Sequence, residues 1–375
     1  MYKLVSGRFI NSVGRIKLFV LILAAIGLLF AGLLWLAMAV LLGFIVYFFC
    51  KRLIGPVGQT LLFLPLILCM AIFIRLFIFE IYRVPSESME NALFPGDYIV
   101  VNKLHYGPRL PNSPYEIPWL NLAFYLSPTA LSDVHSIHWA YKRLAGFFPV
   151  KRGDIMVFKK EDKDKVPMVK RCLGLPGDTL KIIEGNFIIN GHLINEYSTV
   201  KKKYKIWPGS LTELRDYADS AKVSYVTSTD YEKKRIFIEG MLNEKQKGDL
   251  LKSSFIDSIT AQKLPWKAYP KSPAVPWWVN DMGPLVVPSA GRTIRLTPEN
   301  MLLYWPVIKN EIDCVSDVDK VIYRNRPLNY YTFKFNYYFL VGDNRSDSND
   351  SRFWGFVPEH NIEGKVSLTL YPFSF

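Results

Sequence analysis

Three polar clusters carry residue types able to do chemistry: PSESM at 85–89, MVKRCLGLPGD at 168–178 and GDNRSDSNDSRFWGF at 342–356. The first places two serines, Ser86 and Ser88, one residue apart. A serine hydroxyl attacks a carbonyl only when a neighbouring group takes its proton. None of the five histidines lies in the first two clusters, so an imidazole base would have to come from elsewhere. Lysine can serve where apolar surroundings disfavour its charged form and leave a free amine. Lys170 has that setting, in a strand-like run flanked by Val169 and Cys172. Strand alternation sends Lys170 and Arg171 to opposite faces, so only one enters the site, and the permanently charged Arg171 suits an ion pair better than a base. Each signal alone also has a plainer reading. Ser-x-Ser before a turn is commonly a local hydrogen-bonding motif, Lys-Arg on a strand a solvated face, and GDNRSDSNDS a capped polar loop.

The elements that must position these clusters begin in an apolar N-terminal region. Residues 18–50 form a run of 33 without a charge, and residues 53–74 add 22 more. Each exceeds the roughly 18 to 20 residues of a membrane span. A cleavable signal peptide has a shorter apolar core and a small-residue cleavage site, so these runs read as anchors that stay. Lys3, Arg8, Arg15 and Lys17 precede the first run and Lys51 and Arg52 follow it. The positive-inside rule therefore wants both flanks in the cytoplasm. A hairpin of two short spans turning near Gly43 satisfies it, and one long tilted span violates it at one flank. With the Lys51-Arg52 loop cytoplasmic, the next span delivers Ser86 and Ser88 to the outer face, and Arg75 snorkels towards an interface.

Beyond residue 80, Gly-Asp pairs punctuate short β-type segments in FPGDYIVV, KRGDIMVF, LPGDTLKII and LVGDNR. Turn residues followed by apolar or β-branched runs predict a mainly β domain. Between 192 and 331 the character changes to a charged, partly helical region and then a Pro- and Trp-rich stretch, which reads as an insertion. The expected organisation is an N-terminal anchor over 1–52, a transmembrane helix over 53–80, a catalytic core over 81–191 and 332–375, and the insertion over 192–331. A chain of 375 residues with a formal charge of +13 has ample material for this, and the charge fits anionic lipid or nucleic acid without choosing between them. Of four cysteines, Cys50 and Cys69 lie in apolar runs, and Cys172 with Cys314 gives no recognisable disulfide framework. DVHSIH at 133–138 has no further ligand cluster nearby, so no metal is expected.

RVPSESM, GDYIVVNK, VKRCLGLPGD and GDNRSDSNDSRFWGFVPEHNIEGK together resemble, in order, the boxes of bacterial type I signal peptidases, membrane-anchored Ser-Lys endopeptidases. The resemblance covers about residues 70–190 and 332–370. YGPRLPNSPYEIP and the long insertion look most like members from the Bacteroidetes. It implies N-terminal transmembrane helices and a mainly β catalytic domain of the signal peptidase and LexA-like fold, with a large mixed α+β insertion. By position it makes Ser88 the nucleophile, Lys170 the general base, Ser86 an oxyanion donor and Ser348 the group that orients the lysine amine. Asp343 with Arg171, and Asp350 with Arg352, match buttressing pairs. Val84, Pro85, Met89, Leu93 and Val169 fall where the family builds shallow S1 and S3 pockets. The implied substrates are preproteins cut after small residues of the Ala-x-Ala type, at the outer face of the bacterial cytoplasmic membrane. The partners would be those preproteins, the phospholipid bilayer and the translocation machinery, with no cofactor and no nucleic acid. Glu87, between the serines, would favour the charged ammonium if it faced Lys170, so it is expected to point away. Two rivals are a LexA-type self-cleaving Ser-Lys protease, disfavoured by the spans and the lack of a DNA-binding segment, and a catalytically inactive membrane-anchored β binding module.

Overall fold

The computed structural model describes residues 67–118, 139–160, 166–232, 234–312, 315–317, 320–323 and 326–371. The expected spans over 18–50 and most of 53–74, the DVHSIH segment and Cys314 lie outside the described residues. Among the described residues, no helix is long and apolar enough to cross a membrane.

The chain divides into two compact units. In the described part of one, residues 67–73 are helical and continue into a π-type turn at Ile74–Ile78. Farther along the same unit, Leu110 N–H donates to the Lys142 carbonyl and Arg109 pairs with Glu116.

The other unit comprises Phe79–Pro108 and Ala145–Phe375. Its frame is a seven-stranded sheet of β1 (Phe79–Arg83), β2 (Tyr98–Asn102), β3 (Ile155–Lys159), β4 (Pro167–Gly174), β5 (Tyr337–Val341), β6 (Val357–Pro358) and β7 (Ile362–Leu370). The spatial order is β1-β2-β7-β3-β4-β5-β6, with every neighbouring pair antiparallel. Burial explains the sequence of each strand. β2, near one end, alternates exposed Tyr98 with buried Ile99 and Val101, whereas β5 is buried along its whole length and reads YYFLV without a charge.

The Gly-Asp turns share one device. Gly96, Gly153 and Gly177 hold φ near +90°, a conformation that favours glycine. The aspartate after each accepts from the backbone three residues upstream: Phe94 N–H to Asp97, Lys151 N–H to Asp154 and Leu175 N–H to Asp178, at 2.6–3.0 Å. Each turn thereby closes on itself and sets the start of β2, β3 and the strand Thr179–Ile183.

The residues 192–331 contribute in two ways. Lys201–Pro208, Tyr225–Asp230, Arg235–Asn243 and Ile256–Ala261 form a four-stranded sheet with helices α1 (Leu211–Ser220) and α2 (Glu244–Leu251). Tyr204, Ile206, Leu214, Ile238, Leu242 and Leu250 give this lobe a core of its own. Asn243 and Gln246 close a capping box on α2, which starts the helix. Farther on, Met282–Val286 joins Thr179–Ile183 in a second four-stranded sheet, and α3 (Pro298–Glu311) packs against it. Leu285, Leu303 and Ile308 share one core with Leu173, Phe339 and Val341 of the main sheet.

Candidate active site

Ser88 lies in a single 3-10 turn, Glu87–Met89, after the extended residue Ser86. This compact turn brings the Ser86 and Ser88 hydroxyls to 3.3 Å. Met89 and Leu93 anchor it, burying their side chains in one apolar cluster with Val84, Val157 and Val169. Four of the five residues expected to form the shallow pockets thus lie together, while Pro85 is exposed beside them.

Lys170 projects from the centre of β4 and is only 3% exposed. Its Nζ stands 2.6 Å from Ser88 Oγ and donates to the Val169 carbonyl at 2.9 Å. Burial pushes its pKa down to about 8, with Asp350 and Asp343 opposing that shift and Arg352 adding to it. An amine in this state takes up the hydroxyl proton far more readily than an ordinary surface lysine. Glu87 is exposed and is not among the groups acting on Lys170.

Arg171, next along the strand, points the other way. Its Nε donates to Asp343 Oδ1 at 2.7 Å and its Nη2 to Asp343 Oδ2 at 2.5 Å. A third bond reaches the Gly153 carbonyl, and Tyr197 packs over the guanidinium at 4.3 Å. Asp350 and Arg352 form the second pair at 2.9 Å. Burial works to raise the Asp350 pKa, but the Arg352 guanidinium holds this carboxyl below its usual range. Asp350 also accepts from the Gly342 N–H at 3.1 Å, tying the pair to the loop that follows β5.

That loop closes over the Ser88 turn. Asn344 N–H donates to the Ser88 carbonyl at 3.1 Å, and its Nδ2 to the Glu87 carbonyl at 3.2 Å. Ser348 is buried, and its Oγ makes no hydrogen bond of ordinary length and angle, to Lys170 or any other described residue. It lies close enough to Asp350 to help lower that carboxyl. Sequence reasoning missed Asn344, Arg345 and the strand that braces them. Arg345 donates to the Gly342 carbonyl at 2.6 Å and pairs with Glu196, while Lys201 N–H donates to the Asp343 carbonyl. The asparagine and arginine in GDNR were the available signal, since a polar loop rarely buries an arginine without a structural task.

A buried serine hydroxyl held against a desolvated lysine amine, on an antiparallel sheet, has the parts of a serine hydrolase that dispenses with histidine. Comparison with known proteins carries this further. The family model described as signal peptidase, peptidase S26, matches residues 57–244 and 320–371. Signal peptidase I of Buchnera aphidicola subsp. Baizongia pistaciae is 26% identical over 309 residues, covering 81% of this chain and 73% of that relative. Signal peptidase I of Aquifex aeolicus is 25% identical over 306 residues, covering 82% and 81%. A crystal structure of a signal peptidase I from Enterococcus faecalis V583, 19% identical, covers 58% of this chain and 97% of that one at a TM-score of 0.23, too loose a superposition to place any residue. The chain belongs to the signal peptidase family, peptidase S26, and is a peptide hydrolase with a mainly β fold.

Proposed function

We propose that this protein cleaves N-terminal signal peptides from exported preproteins, with Ser88 as nucleophile and Lys170 as general base. The observation that carries the assignment is the 2.6 Å contact between Ser88 Oγ and Lys170 Nζ. With the amine neutral, the hydroxyl donates into its lone pair, and proton transfer accompanies attack on the scissile carbonyl. The oxyanion is held by Ser86 Oγ and the backbone N–H of Ser88, donors of a kind typically worth about 3 to 4 kcal/mol to a transition state. The Lys170 ammonium then protonates the departing amine, the acyl-enzyme forms, and a water activated by the same amine releases it. The Val169 carbonyl keeps the amine aimed at Ser88, while the Arg171–Asp343 and Asp350–Arg352 pairs fix the loop around it.

Strand β4 supports the substrate placement. It pairs with β3 from Pro167 to Arg171, but with β5 only from Arg171 to Gly174. One edge of residues 167–170 therefore has no strand against it among the described residues, and an extended signal-peptide segment can add there. Alternate side chains of that segment would meet Val84, Met89, Leu93 and Val169, with Pro85 at the rim. That surface is close-packed, so it suits Ala-sized residues.

The apolar runs over 18–50 and 53–74 support a multi-pass anchor in the bacterial cytoplasmic membrane, with the catalytic core (81–191 and 332–375) and its insertion (192–331) at the outer face. The bilayer and the translocation machinery would be its neighbours. A reporter fused after residue 55 should read as cytoplasmic, and a periplasmic signal would overturn this topology. Neither LexA-type self-cleavage nor an inactive binding module is favoured, because the relatives are named signal peptidases. The deciding experiment incubates the full chain in detergent with a preprotein bearing an Ala-x-Ala site, alongside Ser88→Ala and Lys170→Ala. Both variants should leave the preprotein intact, and cleavage by either would sink the dyad.

A further inference from the structure

A groove of about 360 Å³ opens beside the Ser88 turn, lined by Glu87, Asn344 and Asp347 together with Lys201, Lys203 and Trp266. Its volume falls within the range of about 300 to 1,000 Å³ typical of ligand sites. None of the residues assigned to the signal-peptide pockets lines it, so the Ser88 turn separates two distinct surfaces. One is small, apolar and close-packed. The other is open, and its lining residues from Lys201 to Trp266 belong to the insertion.

The charges of the groove are unequally matched. Lys201 is paired with Glu90, and Lys203 with Glu239 at 2.6 Å. Glu87 and Asp347 are both exposed, and among the described residues neither has an ion-pair partner. Asn344 is 3% exposed, and its buried Oδ1 has no donor among the described residues, an acceptor left unmet in the wall of the groove. The same asparagine holds the Ser88 and Glu87 carbonyls, so whatever occupies the groove bears directly on the nucleophile's turn. Trp266, 45% exposed, offers an apolar plane at which side-chain stems can rest.

We propose that this groove binds the chain on the C-terminal side of the scissile bond, and that Glu87 and Asp347 make it favour basic over acidic residues there. The inference rests on Ser88 as the nucleophile and extends the site across the bond it attacks. It gives the insertion a task in specificity, because Lys201, Lys203 and Trp266 of the insertion line the groove where Lys201 and Lys203 bond to the loop after β5. It also accounts for Glu87, a carboxylate next to the nucleophile that the chemistry itself does not use.

The test has two arms, both on the full chain in detergent. In the first, peptides identical on the signal side carry Lys, Gln or Glu at the third and fourth positions after the cut, and kcat/KM is compared between wild type and the double variant Glu87→Gln/Asp347→Asn. Wild type should favour the Lys peptide over the Glu peptide by about fivefold, and the double variant should bring that ratio near one. In the second, a fluorescein-labelled peptide containing only the leaving-side residues is titrated against Ser88→Ala, with and without the two carboxylate substitutions. The Lys form should bind more tightly than the Glu form, and only while the carboxylates are present. Equal treatment of the peptides by wild type, or an unchanged ratio in the double variant, would overturn the proposal. Cleavage by Ser88→Ala would instead count against the nucleophile, and the binding arm, which needs no cleavage, would still read the groove.

Discussion

Gly342 approaches Ser88 so closely that a Cβ on it would stand 2.5 Å from the Ser88 carbonyl oxygen and 2.2 Å from Ser348 Oγ. The serine side chain can rotate away, but the carbonyl is backbone, and Asn344 already holds it from the same loop. Gly342→Ala therefore has to push the Ser88 turn off Lys170 or open the loop. Overpacking of this kind costs about 1–3 kcal/mol, and a shift of about 1 Å in a catalytic group can cost about a hundredfold in rate. The variant should melt at a lower temperature and lose kcat by at least about that factor. Wild-type turnover would show that the loop does not need this approach.

How much of this was legible in the sequence can be judged from the Gly-Asp pairs at 96–97, 153–154, 177–178 and 342–343. Three of them form the left-handed turn with an aspartate cap that their composition announces, because both interactions are local. The fourth, Gly342-Asp343, looks the same and does something else: its glycine clears space and its aspartate reaches across to Arg171. Such a role depends on what a distant strand brings up, which local pattern cannot reveal. Lys170 and Arg171 were separable, because alternation along a strand is local. KKKYKIWP was not, since its lysines masked a strand that buries Tyr204 and Ile206 in the core of the insertion's lobe. Asn344 went unnoticed because asparagine in a polar loop has an ordinary explanation as a turn former.

Asp343 is fully buried, and its charge compensates the guanidinium of Arg171. Asp343→Asn keeps the size of the side chain but leaves that cation unpaired. Removing one member of a buried pair costs about 3–5 kcal/mol, whereas replacing both by apolar groups is often close to neutral. Urea titration should place Asp343→Asn well below wild type, and Arg171→Met/Asp343→Leu between the two. A double variant less stable than the single one would mean that the pair contributes more than mutual compensation.

The pH dependence of cleavage follows from Lys170. Its pKa of about 8 means that only about a tenth of the amine is neutral at pH 7. With Lys170 as the proposed base, acting in its neutral form, kcat/KM should rise about tenfold per unit up to pH 8 and level off above about 9. A rate constant measured from pH 6 to 10 that stays flat would argue against a lysine base.

The same shift makes a prediction about stability, with the opposite residue preference from catalysis. The folded pKa lies at about 8, below the ordinary 10.5, so between those values the unfolded chain binds more protons than the folded one. Wild-type stability should therefore climb as the pH rises through that window. Below pH 8 both states carry the proton, and the full cost of burying the ammonium persists. Lys170→Met removes the charge while keeping an unbranched side chain of similar length. At pH 7 its unfolding free energy should exceed that of wild type by up to about 3 kcal/mol, since one pKa unit corresponds to about 1.4 kcal/mol. The advantage should shrink steadily as the pH approaches 10.5, where the wild-type amine is neutral in both states. A variant less stable than wild type at pH 7, or a gap independent of pH, would mean that Lys170 is held charged by its neighbours. The proton acceptor for Ser88 would then have to lie elsewhere. An inactive but stabilised Lys170→Met would instead identify the buried amine as a group kept for catalysis at the expense of folding.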